Sequence, residues 1–154
     1  MEYYSIYNMD KKDKTILELL NENSKLTTNQ ISKKTTIPIT TIHNRIKKLE
    51  KEGIITGYTL KLDYKKIGKP ITAYMLLTVT YTLPDGKKLR QEDIAKTIKK
   101  LEEVEEVNIM TGITDILIKV RIKDIDQLNT FVIDKLRNIE GIDKTQTMLV
   151  LSEV

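Results

Sequence analysis

Cysteine is absent from this chain and histidine occurs once, as His43. Without cysteine there are no disulfides, no thiolate nucleophile and no thiolate zinc site, which suits a reducing compartment such as the cytoplasm. A lone histidine leaves little for Ser-His-Asp or multi-histidine metal chemistry, so hydrolytic and metal catalysis are not expected. Neither is a metal or an organic cofactor. Long apolar runs are missing too: none approaches the roughly 18 residues a membrane span needs, and the first residues do not read as a secretory leader. What remains is a chain of 154 residues, 40% hydrophobic and 31% charged, with the balance of a globular protein and room for one large domain or two small ones.

The net charge of +4 is unevenly placed. Between Lys25 and Lys51 stand seven basic residues (Lys25, Lys33, Lys34, Arg45, Lys47, Lys48, Lys51) against one acidic residue, Glu50, so this stretch alone exceeds the net charge of the whole chain. Such an excess is the footprint of a surface that meets phosphate, although a solvated helix face also collects lysines.

The opening MEYYSIYN fits no pattern. Asp10 then reads as an N-cap with Asp13 three positions on, opening a helix whose stripe is Ile16, Leu17 and Leu20. Thr27-x-x-Gln30 is a capping-box pattern before a short helix carrying Ile31, which Pro38 must terminate. A third helix runs from Ile39 to Glu52 and stops at Gly53. At about 100° per residue, Ile39, Ile42, Ile46 and Leu49 share one side; Thr40, Asn44, Lys47, Lys48 and Lys51 lie opposite, with Thr41 and His43 on the flanks. The alternation of Tyr58, Leu60 and Leu62 predicts a short hairpin after Gly53. Three helices and a hairpin make a winged helix-turn-helix over residues 1–62, and 63–70, with Gly68 and Pro70, reads as a linker.

From residue 71 the period changes to two, with Ile71, Ala73, Met75, Leu77, Val79 and Tyr81 on one face of a strand closed by the Leu83-Pro84-Asp85-Gly86 turn. A helix carrying Ile94, Ile98 and Leu101 follows, then strands over Val107–Thr111 and Asp115–Ile122 about a tight loop. A helix with Leu128, Val132, Leu136 and Ile139 stops at Gly141, and Thr145–Leu151 is a last strand. The order β-α-β-β-α-β over 71–154 is ferredoxin-like, so the fold class is α+β with both helices on one face of the sheet. The other face retains Leu76 and Leu117, with Met110 or Met148 according to register, and such an apolar face predicts back-to-back dimerisation.

With these halves in this order, the chain resembles the leucine-responsive/asparagine (Lrp/AsnC, feast/famine) family of bacterial and archaeal transcription regulators, an archaeal source being expected. Met9-Asp10-Lys-Lys-Asp13-Lys-Thr-Ile16-Leu17 is similar to the family's opening helix, and Ile42-His-Asn-Arg45-Ile46-Lys-Lys-Leu49-Glu50-Lys-Glu-Gly53-Ile-Ile55 to its recognition helix running into the wing. Thr111-Gly112-Ile113-Thr114-Asp115 resembles its glycine-x-x-aspartate loop, and Ile142-Asp-Lys-Thr145-Gln-Thr147 its closing strand. Three departures stand out. Pro38 replaces a frequent serine cap, Thr114 replaces a frequent aromatic, and the Pro-Asp-Gly loop is longer than usual.

The resemblance implies a homodimer, extending to octamers, that binds palindromic duplex operators and responds to an amino acid or other small metabolite. Thr40, Thr41, His43 and Asn44 are the candidates for base edges; Lys47 and Lys48 are those for phosphates. Arg45, nearer the apolar side, either braces the domain or reaches one phosphate. By resemblance the effector lies near Gly112, Thr114 and Asp115, where Asp115 orients an amino group or merely caps the hairpin. The rival reading is a siroheme decarboxylase-like enzyme of the same architecture, against which stands a C-terminal half without histidine.

Overall fold

Local punctuation sets out three helices: α1 (Lys11–Glu22), α2 (Thr28–Thr35) and α3 (Ile39–Lys51). In this computed structural model, which describes residues 9–152, they belong to the first of two compact units, Met1–Lys61 and Leu62–Val154. The MEYYSIYN segment lies outside the described residues. Both expected caps form. The Asp13 amide donates to the Asp10 carboxylate at 2.9 Å while Asp10 N–H returns to Asp13, and the Gln30 amide donates to Thr27 Oγ1 as Thr27 N–H reaches Gln30 Oε1 at 2.9 Å. Satisfying first-turn donors in this way is worth about 1 kcal/mol per cap. The helices close over Ile16, Leu20, Ile31, Ile37 and Ile42, with Leu49 also fully buried.

Between α2 and α3 the chain turns within three residues. Thr36 takes a left-handed conformation at φ 60°, Ser32 Oγ donates to the Ile37 carbonyl at 2.6 Å, and buried Ile37 anchors the turn. No side chain caps α3 at Pro38; the proline carbonyl accepts directly from Ile42 N–H at 3.1 Å, so the helix starts at Ile39 without the serine that the resemblance led one to expect.

The expected hairpin after Gly53 does not form: residues 54–63 contain no paired strand. Its first arm is consumed in ending α3. Gly53, at φ 70°, donates to the Glu50 carbonyl at 3.0 Å, and Ile54 and Ile55 N–H both return to the Leu49 carbonyl, which is a Schellman closure. Only Thr56 and Gly57 are then left before the alternating run, too few for an opposing strand. Tyr58, Leu60 and Leu62 are accordingly exposed, and the Tyr58 hydroxyl donates to Glu50.

The second unit is built on β1 (Ile71–Val79), β2 (Val104–Ile109), β3 (Ile116–Ile122) and β4 (Ile142–Leu149), in antiparallel spatial order β2-β3-β1-β4. Crossovers run through α4 (Gln91–Lys99) and α5 (Ile125–Thr130), the latter widening into a π turn over Phe131–Leu136. One sheet face, with Ala73, Met75, Leu77, Ile116, Ile118 and Val120, packs on Ile94, Ile98, Leu128, Phe131 and Leu136. Burial on this scale, at about 25 cal/mol per Å² of apolar surface, is what holds the sheet.

Two strand limits shift from those expected. The second strand begins at Val104 rather than Val107, because Arg121 N–H already bonds the Glu103 carbonyl and a bulge follows Val104. The last strand begins at Ile142, directly after the turn at Gly141 (φ 94°), and ends at Leu149. The stretch read as a linker also packs into this unit: the Tyr64 ring lies 4.0 Å from the Arg121 guanidinium carbon, and Lys69 pairs with Glu102.

Register places Leu76 opposite Leu117 and Gln146, and Tyr74 opposite Lys119 and Met148, on the face away from the helices. Met148 therefore joins that face. Leu76 and Leu117 are half-buried and Met110 and Met148 exposed.

Candidate nucleic-acid interface and effector loop

Helix α3 carries its chemistry outward because its stripe is inward from Ile42 onward; Ile39, expected on that stripe, is 45% exposed in the first turn. Ile42 and Leu49 are fully buried and Ile46 is partly so, which leaves Thr40, His43, Asn44, Lys47 and Lys48 exposed and Thr41 on the boundary. Near its N-terminus this face offers hydroxyl, imidazole and amide groups; farther on it offers ammonium groups. Lys33 and Lys34, in the last turn of α2, are exposed as well. The uncapped start of α3 adds the positive end of a helix dipole to the same cationic unit.

Arg45 does not share this face. Its guanidinium is 2.7 Å from Asp13 Oδ1 and 2.7 Å from Asp10 Oδ2. Asp13 is buried, with a side chain only 3% exposed, whereas the Arg45 side chain is 25% exposed. The pair ties α3 to the first turn of α1. Asp10 is held below the usual carboxylate range, first by the Asp13 amide on its carboxylate and then, against some burial, by Arg45 beside it. The Arg45 guanidinium is in turn pushed upward by its hydrogen bonds to Asp13 and Asp10.

In the second unit, Gly112 sits at φ 116° with open space where a Cβ would stand, so it supplies the turn rather than a close approach. Ile113 at the tip is 98% exposed, and Thr114 is half-buried. Asp115 is held on every side. Its amide donates to the Leu77 carbonyl, and its carbonyl accepts from Met110 N–H and Gln91 Nε2. Its carboxylate accepts from Val79 N–H at 2.9 Å and from the Tyr81 hydroxyl at 2.6 Å. Tyr81 and Gln91 are partners that the loop motif itself does not reveal.

A helix-turn-helix unit with a cationic outer helix, followed by a ferredoxin-like unit, defines a two-part DNA-binding regulator. Residues 9–56 match the winged helix-turn-helix DNA-binding family, and residues 76–154 match the Lrp/AsnC ligand binding domain. An uncharacterised HTH-type transcriptional regulator of Pyrococcus furiosus is 42% identical over 92% of this chain and 91% of its own length. The HTH-type transcriptional regulator FL11 of the same organism is 35% identical over 93% of this chain and 89% of its own. Among solved structures, a Neisseria meningitidis transcriptional regulator in complex with L-Met superposes with a TM-score of 0.85 at 28% identity, covering 95% of this chain and 92% of that one. AsnC of E. coli gives 0.79 at 29%, covering 96% and 95%. The chain belongs to the Lrp/AsnC family of transcription regulators. No helix among the described residues is long and apolar enough to cross a membrane.

Proposed function

We propose that this regulator, a cytoplasmic protein without enzymatic activity, reads duplex DNA with α3. Thr40, Thr41, His43 and Asn44 meet base edges, Lys47 and Lys48 meet phosphates, and Arg45 braces the domain instead of touching DNA. The observation that carries the reading is the run of exposed Thr40, His43, Asn44, Lys47 and Lys48 on α3, opposite a fully buried Ile42 and Leu49. Its test is salt-dependent binding of the full chain to selected duplexes. Lys47→Ala with Lys48→Ala should weaken all sequences alike and lower the salt slope by about two phosphate contacts. Asn44→Ala should cost about 1–3 kcal/mol at one base pair and relax preference there. Binding that ignores salt would overturn the reading.

The open sheet face, with Leu76, Leu117, Tyr74 and Met148 in register, supports a homodimer, and the family resemblance extends this reading to further assembly, up to octamers. A two-fold dimer calls for operators with palindromic half-sites about 10 bp, or a multiple, apart. Leu76→Asp should split the dimer in sedimentation, because the buried charge would lack a partner. The effector in this reading is an amino acid at Gly112, Thr114 and Asp115. It is supported by the match to a ligand binding domain and by the related Neisseria regulator in complex with L-Met.

A further inference from the structure

The hairpin of residues 82–88 lies outside the sheet core, and its two ends converge on Asp115. The Tyr81 hydroxyl donates to Asp115 Oδ1 on one side of it, and Gln91 Nε2 donates to the Asp115 carbonyl on the other. Within the hairpin, Thr82 bridges Lys88, Leu83 and Lys87 share a hydrogen bond, and Leu89 N–H closes onto the Tyr81 carbonyl. Most of its side chains are exposed; Leu89 and the Lys87–Glu140 ion pair supply the remaining anchorage. The loop that is longer than the family pattern is thus a ribbon clasped at its base by one aspartate.

Both carboxylate oxygens of Asp115 are in use, and the two donors differ in kind. Val79 N–H belongs to a paired strand and cannot leave. The Tyr81 side chain, half exposed, can rotate into water and recover a hydrogen bond there. A ligand ammonium carries full charge and makes a stronger hydrogen bond to a carboxylate than a phenol does. We propose that Tyr81 is a latch on the effector aspartate, which an ammonium-bearing effector must displace from Asp115, and that its release loosens the 82–88 hairpin leading into α4. This rests on the placement of the effector at Asp115. Because the latch must open first, it weakens apparent affinity, and it selects for primary amines over the matching 2-oxo acids, which bring no cation to Asp115. The phenol is held above its ordinary pKa chiefly by its hydrogen bond to Asp115.

The test uses the full chain, titrated calorimetrically with each proteinogenic L-amino acid and with the 2-oxo acid of any that binds. An amino acid that binds the wild type should bind Tyr81→Phe several-fold, up to about tenfold, more tightly. It should not bind Asp115→Asn, and the 2-oxo acid should bind neither protein. In the wild type the same amino acid should speed amide exchange over residues 82–89. Equal or weaker binding by Tyr81→Phe, or amide exchange over residues 82–89 that the ligand leaves unmoved, overturns the latch while leaving the effector site standing. Binding to Asp115→Asn as to the wild type, or no amino acid bound by either wild type or Tyr81→Phe, overturns the effector placement itself.

Discussion

Removing the Arg45 guanidinium separates the two readings of this residue. Arg45→Met keeps the aliphatic stem and deletes the charge that lies 2.7 Å from both Asp10 and Asp13. Asp10 is half exposed and can turn to water, so its share is well under 1 kcal/mol. Asp13 is buried at 3% exposure and loses its cation. Breaking a fully buried pair costs about 3–5 kcal/mol; with Arg45 itself a quarter exposed, about 2–3 kcal/mol is expected here. At roughly a factor of ten per 1.4 kcal/mol, this is an opening equilibrium about 30- to 150-fold larger for the first unit. Hydrogen exchange reads it on peptides of α1 and α3 in the full chain, with peptides of β1 and β3 as the internal reference. Converting Asp13 to Leu together with Arg45→Met should recover part of the loss, since the buried carboxylate no longer has to do without its guanidinium. The salt slope of DNA binding should stay unchanged. Unaltered protection in α1 and α3, together with a slope lower by about one phosphate, would refute the brace and put Arg45 on the DNA.

Two glycines with positive φ should respond differently to alanine. Gly141→Ala puts a Cβ 2.6 Å from Leu89 Cδ1 and 2.8 Å from Ile94 Cδ1 at φ 94°, so about 2–4 kcal/mol should be lost in urea unfolding. Gly53→Ala, at φ 70° with nothing within 4 Å, should cost only the backbone strain of about 1–2 kcal/mol. Thr36, a β-branched residue at φ 60°, should be improved by Thr36→Asn, with a gain of about 0.5–1 kcal/mol in the same assay. Glu105 supplies the acid dependence. Burial pushes its carboxyl up, but Arg121 at 2.6 Å and Lys119 at 3.5 Å prevail and leave it below its usual value. A depressed folded-state pKa stabilises above the unfolded value, about 4.3, and that contribution disappears as pH falls through the folded value. Wild type and Glu105→Gln should therefore differ at neutral pH and converge in acid; a constant difference would contradict the assignment.

Features encoded within four residues were legible: the N-cap at Asp10, the capping box of Thr27 and Gln30, the glycine stop of α3 and the alternation that buries Ala73, Met75 and Leu77 all follow from spacing alone. Features that need a partner elsewhere were not. Tyr58, Leu60 and Leu62 have the period of a strand, but period says nothing of a second arm, and Schellman closure of α3 had already taken Ile54 and Ile55. The limits of β2 and β4 were displaced for the same reason, being set by hydrogen bonds from Arg121 and by the turn at Gly141.

The site residues divide along the same line, and Arg45 shows how much more the pattern held. Asp13, Ile16 and Leu20 stand at helical positions i, i+3 and i+7, so the carboxylate that reads as a cap also lies on the stripe entering the core. Ile42, Arg45, Ile46 and Leu49 stand at i, i+3, i+4 and i+7 of α3, which puts the guanidinium on the corresponding stripe. A charge on an inward stripe is costly unless it meets its opposite, and among the described residues α1 and α3 each bring one such charge, of opposite sign. Their pairing across 32 residues follows from that cost. Tyr81 has no such signal: it continues the alternation of β1 two residues past Val79, and only the fold shows that the strand has ended and its hydroxyl has turned to Asp115. Spacing leaves the brace open beside a phosphate contact and the burial of Asp13 decides for it, whereas the latch depends on where a hairpin happens to close.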